Sequence, residues 1–344
     1  MRIGLIGTGR IGAFHAETLC ALPGVDEVLV ADPAPGLAPA LAGRLGLTAL
    51  PGVAQLFAAR PDGLVIAAPT SVHAELLHQA LDAGTPVFCE KPVALDVPGT
   101  LGVVERAEAG GAPVQIGFQR RFDAGYRAAR EALRGGELGR LHTLRATTSD
   151  RRPPPAAYLP TSGGLFRDCG IHDFDIMRWL TGREVLSVYA LGANRPDAFF
   201  REGGDVDTCA ALLRFDDDVL ATATATRYNG AGHDVRLEVC GSEGTRIVGL
   251  DDHAPLPTAE PRISWRRAAP YAGFADRFRA AYTAELAAFT EVAAGRAASP
   301  CTARDALEAL YVAEACDLSR RTGEPVTVSR VRAAAGDTVR RPPS

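Results

Sequence analysis

Short apolar runs alternate with segments of helical spacing through the first third of the chain. Ile3 to Ile6, Val28 to Ala31, Gly63 to Ala68, Pro86 to Cys89 and Val114 to Phe118 read as strands, and Ala13 to Leu22, Ala74 to Ala83 and Gly99 to Ala109 as helices. The first helix stops at Pro23-Gly24. Strands separated by helices require a parallel sheet with right-handed crossovers, so this part is an α/β, doubly wound domain of Rossmann type whose ligand lies at the carboxyl ends of the strands. Past Asp123 the rhythm changes. A helix from Tyr126 to Arg134 ends at Gly135-Gly136, and two-residue alternation then takes over, with Leu212 to Phe215 and Val219 to Thr226 flanking Asp216-Asp217-Asp218 and a second hairpin at Gly241-Ser242-Glu243-Gly244. These predict an α+β domain with a largely antiparallel open sheet, whose apolar face needs cover from helices or from a second copy of the chain. Two late helices follow, Ala275 to Ala294 and Thr302 to Thr322; the second opens on a capping-box-like Thr302 and Asp305 and stops at Gly323-Glu324-Pro325. The resulting division is residues 1–120 for a dinucleotide-binding domain, 121–330 for a substrate-binding and oligomerisation domain, and 331–344 for a tail expected to fray.

Length supports two domains, since 344 residues exceed one ordinary core. With 37 Lys and Arg against 41 Asp and Glu, spread along the chain, the net charge of −4 offers no footprint for nucleic acid. Seven well-separated cysteines without a CxxC pair read as reduced thiols, and no apolar run reaches membrane-spanning length. With no basic leader ahead of the first strand, a cytoplasmic protein is expected. The scattered His and Cys lack the close pairs of a metal site, so no metal is assigned.

Candidate chemistry begins at Gly7-Thr8-Gly9-Arg10-Ile11-Gly12, directly behind the first strand. A strand, a glycine turn and a helix form the setting in which backbone amides cradle a pyrophosphate. Asp32, ending the second strand, stands where a carboxylate meets an adenosine ribose hydroxyl, which favours NAD. A second candidate is Cys89-Glu90-Lys91-Pro92, at a strand end on the cofactor edge, where Lys91 would point at the nicotinamide or else stand as a solvated surface residue. A third is the stretch Gly163 to Trp179, in which Asp168 and His172 stand one helical turn apart, so that the carboxylate could orient the imidazole as a general base or form a surface ion pair only. His15, His73 and His78 read as structural, with an approach to the cofactor as the alternative for His73, and Arg120 and Arg121 as residues of the domain junction, with a substrate or cofactor role as the alternative.

These motifs, GTGRIG, EKP at 90–92, GFQRRFD at 117–123 and SGGLFRDCGIHDFDIMRW at 162–179, resemble those of the glucose–fructose oxidoreductase and inositol dehydrogenase (Gfo/Idh/MocA) family over residues 1–326. The resemblance implies NAD-dependent oxidation of a secondary hydroxyl on a cyclic polyol such as inositol, by a homodimer or homotetramer. It implies a catalytic set of Lys91, Asp168 and His172, with the peptide before Pro92 often cis. The cofactor set is Gly7, Gly9, Arg10, Ile11, Gly12, Asp32, Pro69, Glu90 and Lys91. The substrate set is Lys91, Arg121, Asp150, Asp168, His172, Asp175 and Tyr228. His172 is the expected proton acceptor, Asp168 its orienting group and Lys91 the cation at the developing oxyanion, although Lys91 and His172 could exchange roles. Two departures bear on the substrate: Ser149-Asp150-Arg151-Arg152 replaces Ser-Arg-Asp-Pro, and Tyr228 to Asp234 lacks the Tyr-Gly-Tyr-Asp stretch. Another inositol isomer, an amino- or deoxy-inositol, a pyranose, or a non-catalytic NAD-binding sensor therefore remain alternatives.

Overall fold

The computed structural model describes residues 1–195, 197–263 and 268–337. The chain forms two compact units, one of residues 1–122 with 280–307 and one of residues 123–279 with 308–344. The boundary at Phe122 lies close to that expected, but the linear division does not hold, because residues 280–307 return to the first unit.

In the first unit, β1 (Arg2–Ile6), β2 (Glu27–Ala31), β3 (Thr48–Ala49), β4 (Gly63–Ile66), β5 (Val87–Glu90) and β6 (Val114–Gly117) form one sheet in the order β3-β2-β1-β4-β5-β6. Every neighbouring pair is parallel. The order reverses direction between β1 and β4, which creates a crevice at their carboxyl ends. Buried Ile3, Leu5, Val28, Val30, Val65 and Phe88 pack with Leu286 and Phe289 from the returning helix Arg279–Ala293. Helix Val97–Glu108 starts under Asp96, whose carboxylate accepts from the Gly99 amide. Observed bounds differ from the expected ones by a few residues; the first helix begins at Arg10, three residues before Ala13.

The second unit carries β7 (Leu141–Ser149), β8 (Val185–Ala193), β9 (Thr208–Phe215), β10 (Leu220–Thr226), β11 (Asp234–Gly241), β12 (Thr245–Val248) and β13 (Val326–Thr327), ordered β12-β11-β7-β10-β9-β8-β13. The sheet is mostly antiparallel as expected, with one parallel pair, β7 and β10, at its centre. Alternation is regular: Cys209, Ala211, Leu213 and Phe215 are buried while Leu212 on the other face is 49 % exposed. The expected tail of 331–344 begins inside a helix. Val328–Ala334 is a helix capped by Thr327, and buried Asp337 accepts a hydrogen bond from Tyr311 at 3.0 Å; residues 338–344 of that expectation lie outside the described residues. Among the described residues, no helix is long and apolar enough to cross a membrane.

Candidate active site

The glycine turn closes β1 against the sheet. Gly7 has φ of +92°, and a Cβ on Gly12 would stand 1.9 Å from the Gly7 carbonyl oxygen, so the helix Arg10–Ala21 can pack on the turn only with hydrogen at that position. Gly9 is the opposite case. Nothing lies within 4 Å of where its Cβ would be, so the turn is open on the side where the first amides of the helix emerge. That open cradle fits a pyrophosphate. Asp32, just past the end of β2, is fastened to the same turn: its Oδ2 accepts from the Thr8 amide at 2.6 Å and from Thr8 Oγ1 at 2.9 Å, and its Oδ1 accepts from the Ala34 amide at 2.8 Å. Pro69 starts the turn beyond β4, where the strand order reverses, and Arg10 is exposed at the helix start.

Lys91 follows β5 directly and is partly exposed, and its peptide to Pro92 is cis, as expected. It is also the only lysine of the chain; every other basic side chain among the 37 is arginine. Two buried histidines hold the residues on either side of it. His15 Nε2 lies 2.6 Å from Glu90 Oε1. His73 Nδ1 lies 2.7 Å from the Pro92 carbonyl and its Nε2 lies 2.8 Å from that of Ala68, which ties the ends of β4 and β5 together. Both are fully buried bracing groups, in keeping with their structural reading. Arg121 is buried as well, donating to the Pro300 carbonyl at 3.0 Å and facing Asp305 at 3.6 Å.

In the second unit the stretch after Gly163-Gly164 is not one regular helix. Phe166–Gly170 is a π-helical turn that runs into the α-helix Ile171–Thr181, so Asp168 sits in a widened turn and His172 in the first turn of the α-helix. Asp168 Oδ2 accepts from Arg227 Nη2 at 2.6 Å, and its Oδ1 accepts from the Tyr158 hydroxyl at 3.1 Å. The same guanidinium donates through Nη1 to Asp150 Oδ2 at 3.1 Å and to Cys169 Sγ at 2.9 Å. Asp150 Oδ1 lies 3.5 Å from His233 Nδ1. Burial works to raise the Asp150 carboxyl, but the His233 hydrogen bond and the Arg227 charge outweigh it and hold the group below its ordinary pKa. The Tyr158 hydroxyl is pushed the other way, well above its ordinary value, by burial and by the Asp168 charge. Asp175 is completely buried one turn beyond His172. Tyr228 donates to Asp197 and its ring meets Phe200 edge-on, so its hydroxyl is engaged at the start of the helix Ala198–Glu202.

Residues 1–118 match the NAD-binding Rossmann-fold domain of the GFO/IDH/MocA oxidoreductases, and residues 126–247 match a carboxyl-terminal domain of the same proteins. The chain belongs to this family. Over 328 residues, 94 % of this chain and 98 % of the relative, it is 39 % identical to a myo-inositol dehydrogenase of Streptomyces leeuwenhoekii. Its fold is similar to that of a myo-inositol dehydrogenase from Corynebacterium glutamicum, with a TM-score of 0.86 and 35 % identity over 95 % of this chain and 98 % of that one. It is similar also to scyllo-inositol dehydrogenase from Lactobacillus casei with bound NAD(H) and scyllo-inositol, with a TM-score of 0.85 and 28 % identity over 96 % and 99 %.

Within this GFO/IDH/MocA oxidoreductase the structure brings Asp150 and Asp168 onto one guanidinium, and it places Glu90 and Lys91 at the edge of the Rossmann sheet. Sequence reasoning missed Arg227, His233 and Tyr158. One signal was available for the arginine: in Ala221, Ala223, Ala225, Arg227 the alternation of β10 carries a charge to the next buried-face position, which is costly without a carboxylate partner. The only lysine was a signal of the same kind. Arginine and lysine differ in geometry and in how readily they change protonation state, so the one lysine among 36 arginines was a position to single out.

Proposed function

We propose that the protein is an NAD-dependent inositol dehydrogenase, with oxidation of myo-inositol at C2 to the inosose as its principal reaction. The observation that carries this reading is the only lysine, at the carboxyl edge of a sheet whose glycine turn and Asp32 fit NAD. NAD, when bound, supplies the hydride acceptor. As hydride leaves a secondary alcohol its hydroxyl must lose a proton. His172 accepts that proton, Asp168 steadies the imidazolium that forms, and the Lys91 ammonium donates to the oxygen as charge develops on it. The carboxylate of Asp32 accepts hydrogen bonds from the adenosine ribose diol and repels a 2′-phosphate, so NAD is preferred to NADP.

The altered loop favours a second reading. Asp150, paired with Arg227 and His233, adds a carboxylate near Asp168, which suits another inositol isomer or an amino-inositol. A panel of inositol isomers, amino- and deoxy-inositols and pyranoses, followed by NADH absorbance, separates the readings. Fastest turnover of myo-inositol supports the principal one, and no turnover of any polyol leaves the NAD-binding sensor. A cytoplasmic homo-oligomer, a dimer or a tetramer, completes the proposal. It is supported by seven free thiols and by a sheet face on which Tyr189, Leu191, Leu212, Leu220 and Ile247 are exposed, as a face that packs against a second copy would be.

A further inference from the structure

The parallel pair of β7 and β10 ends with Ser149 opposite Thr226, and the Asp150 amide donates to the Thr226 carbonyl at 2.9 Å. Asp150 and Arg227 therefore leave the sheet side by side at one edge. The Arg227 backbone is fixed by its amide, which donates to the Asp207 carbonyl at 2.8 Å, and only 3 % of the residue is exposed. A guanidinium this deep is costly unless its charge is matched. Burial alone would weaken its hold on the proton, but its contacts to Cys169 and to the carboxylates of Asp168 and Asp150 outweigh burial and keep it charged. The shortest of its contacts goes to Asp168, at 2.6 Å, and Tyr158 takes the other Asp168 oxygen. A carboxylate gripped at both oxygens has neither rotational freedom nor reason to take up a proton.

We propose that Arg227 is a positioning residue of the dehydrogenase: it keeps Asp168 ionised and in one rotamer, so that the carboxylate can stabilise the imidazolium formed at His172 as the alcohol loses its proton. Asp150 serves as counter-charge to the same guanidinium, sharing it so that Asp168 is held without being neutralised. This rests on the reading of Asp168 and His172 as the proton-accepting pair. Arg227 touches neither substrate nor cofactor in this scheme and acts through Asp168 alone.

The test compares wild type, Arg227→Ala, Arg227→Lys and Asp168→Asn, using NAD and the polyol that the panel selects. The measurements are kcat, polyol KM, NADH affinity by fluorescence, and Tm. Loss of a charge-assisted hydrogen bond to a buried group predicts that Arg227→Ala lowers kcat about 10- to 100-fold while NADH affinity holds. Added methylguanidinium should restore part of the lost kcat in Arg227→Ala and none in Asp168→Asn. A structural role alone moves Tm and leaves kcat per folded protomer in place. Folded Arg227→Ala turning over at the wild-type rate, while Asp168→Asn is impaired, overturns the proposal and spares the reading of Asp168. Asp168→Asn at the wild-type rate overturns both. If Arg227→Ala does not fold, Arg227→Lys decides: reduced kcat with unchanged NADH affinity supports the proposal, and wild-type kcat at a lowered Tm overturns it.

Discussion

The groups proposed to meet the cofactor in the first unit come from short runs, Gly7 to Gly12 and Glu90 to Lys91, with Asp32 fastened to the turn through Thr8. In the second unit, Asp150, Asp168, Arg227 and His233 come from four separate places in the chain and meet as buried or half-buried polar groups. In the proposed reading the first arrangement presents backbone amides together with Asp32, Glu90 and Lys91 to NAD. The second fixes two carboxylates and an imidazole around one guanidinium. A backbone cradle tolerates most side-chain changes outside its glycines, whereas an ion cluster transmits the loss of any member to the rest. The two units should therefore fail differently: damage to the first in binding, damage to the second in chemistry.

The largest expected effect tests the second half of that contrast. His172→Asn retains size and polarity without accepting a proton, so kcat should fall by about 10² to 10⁴ with NADH affinity unchanged. Lost affinity at preserved turnover would make His172 structural and pass the proton to Lys91. Lys91→Met should cost about 10² to 10³ in kcat, since it removes a donor to a developing oxyanion. Lys91→Arg sharpens this. It restores the charge but not an amine of tunable pKa, so turnover should stay well below wild type; full recovery would mean that charge alone suffices and that the only lysine is an accident of composition.

Gly12→Ala tests the first half. Its methyl would meet the Gly7 carbonyl at 1.9 Å, and forced shifts of that kind cost about 1 to 3 kcal/mol. A lowered Tm and weakened NADH binding are expected, with kcat at saturating NAD largely kept. Loss of kcat at saturation instead would break the division between binding and chemistry. Asp32→Ala should narrow the preference for NAD over NADP in kcat/KM by about tenfold, and an unchanged ratio would remove Asp32 from ribose recognition.

The smallest effect concerns pH. The Asp150 carboxyl is held below its ordinary pKa in the folded protein, so its stabilisation is present above the unfolded-state value of about 3.9 and is lost as pH falls through the folded one. Asp150→Asn should therefore be less stable than wild type at neutral pH, by chemical denaturation, with the gap closing in acid. A gap that widens in acid would reverse the sign assigned to this group.

Legibility followed the same divide. Five of the six parallel strands could be read because apolar runs alternate with helical segments, whereas the two-residue β3 left no such run; the capping pair at the start of the last long helix was legible because it spans three residues, with Asp305 Oδ2 accepting from the Thr302 amide at 2.9 Å. The parallel pairing of β7 with β10 was not, because about seventy residues and two further strands separate partners whose alternation fits several neighbours equally well. Without that pairing, Asp150 and Arg227 cannot be placed on one edge. The π-helical turn at Asp168 was equally hidden: an apolar periodicity reports a helix but not a single widened turn within it. Nor did the helix Arg279–Ala293 disclose its destination, since an apolar stripe identifies a face that needs burying and not the sheet that will bury it.

That destination bears on how the protein is made. Leu286 and Phe289 fill the same core as Ile3, Leu5 and Phe88, so the cofactor unit lacks part of its interior until the ribosome has passed residue 289. The amino-terminal sheet must wait, incomplete, while the whole sequence of β7 to β12 is translated. A nascent chain of this topology finishes its first-made domain late, and truncation before residue 286 leaves that domain without part of its core.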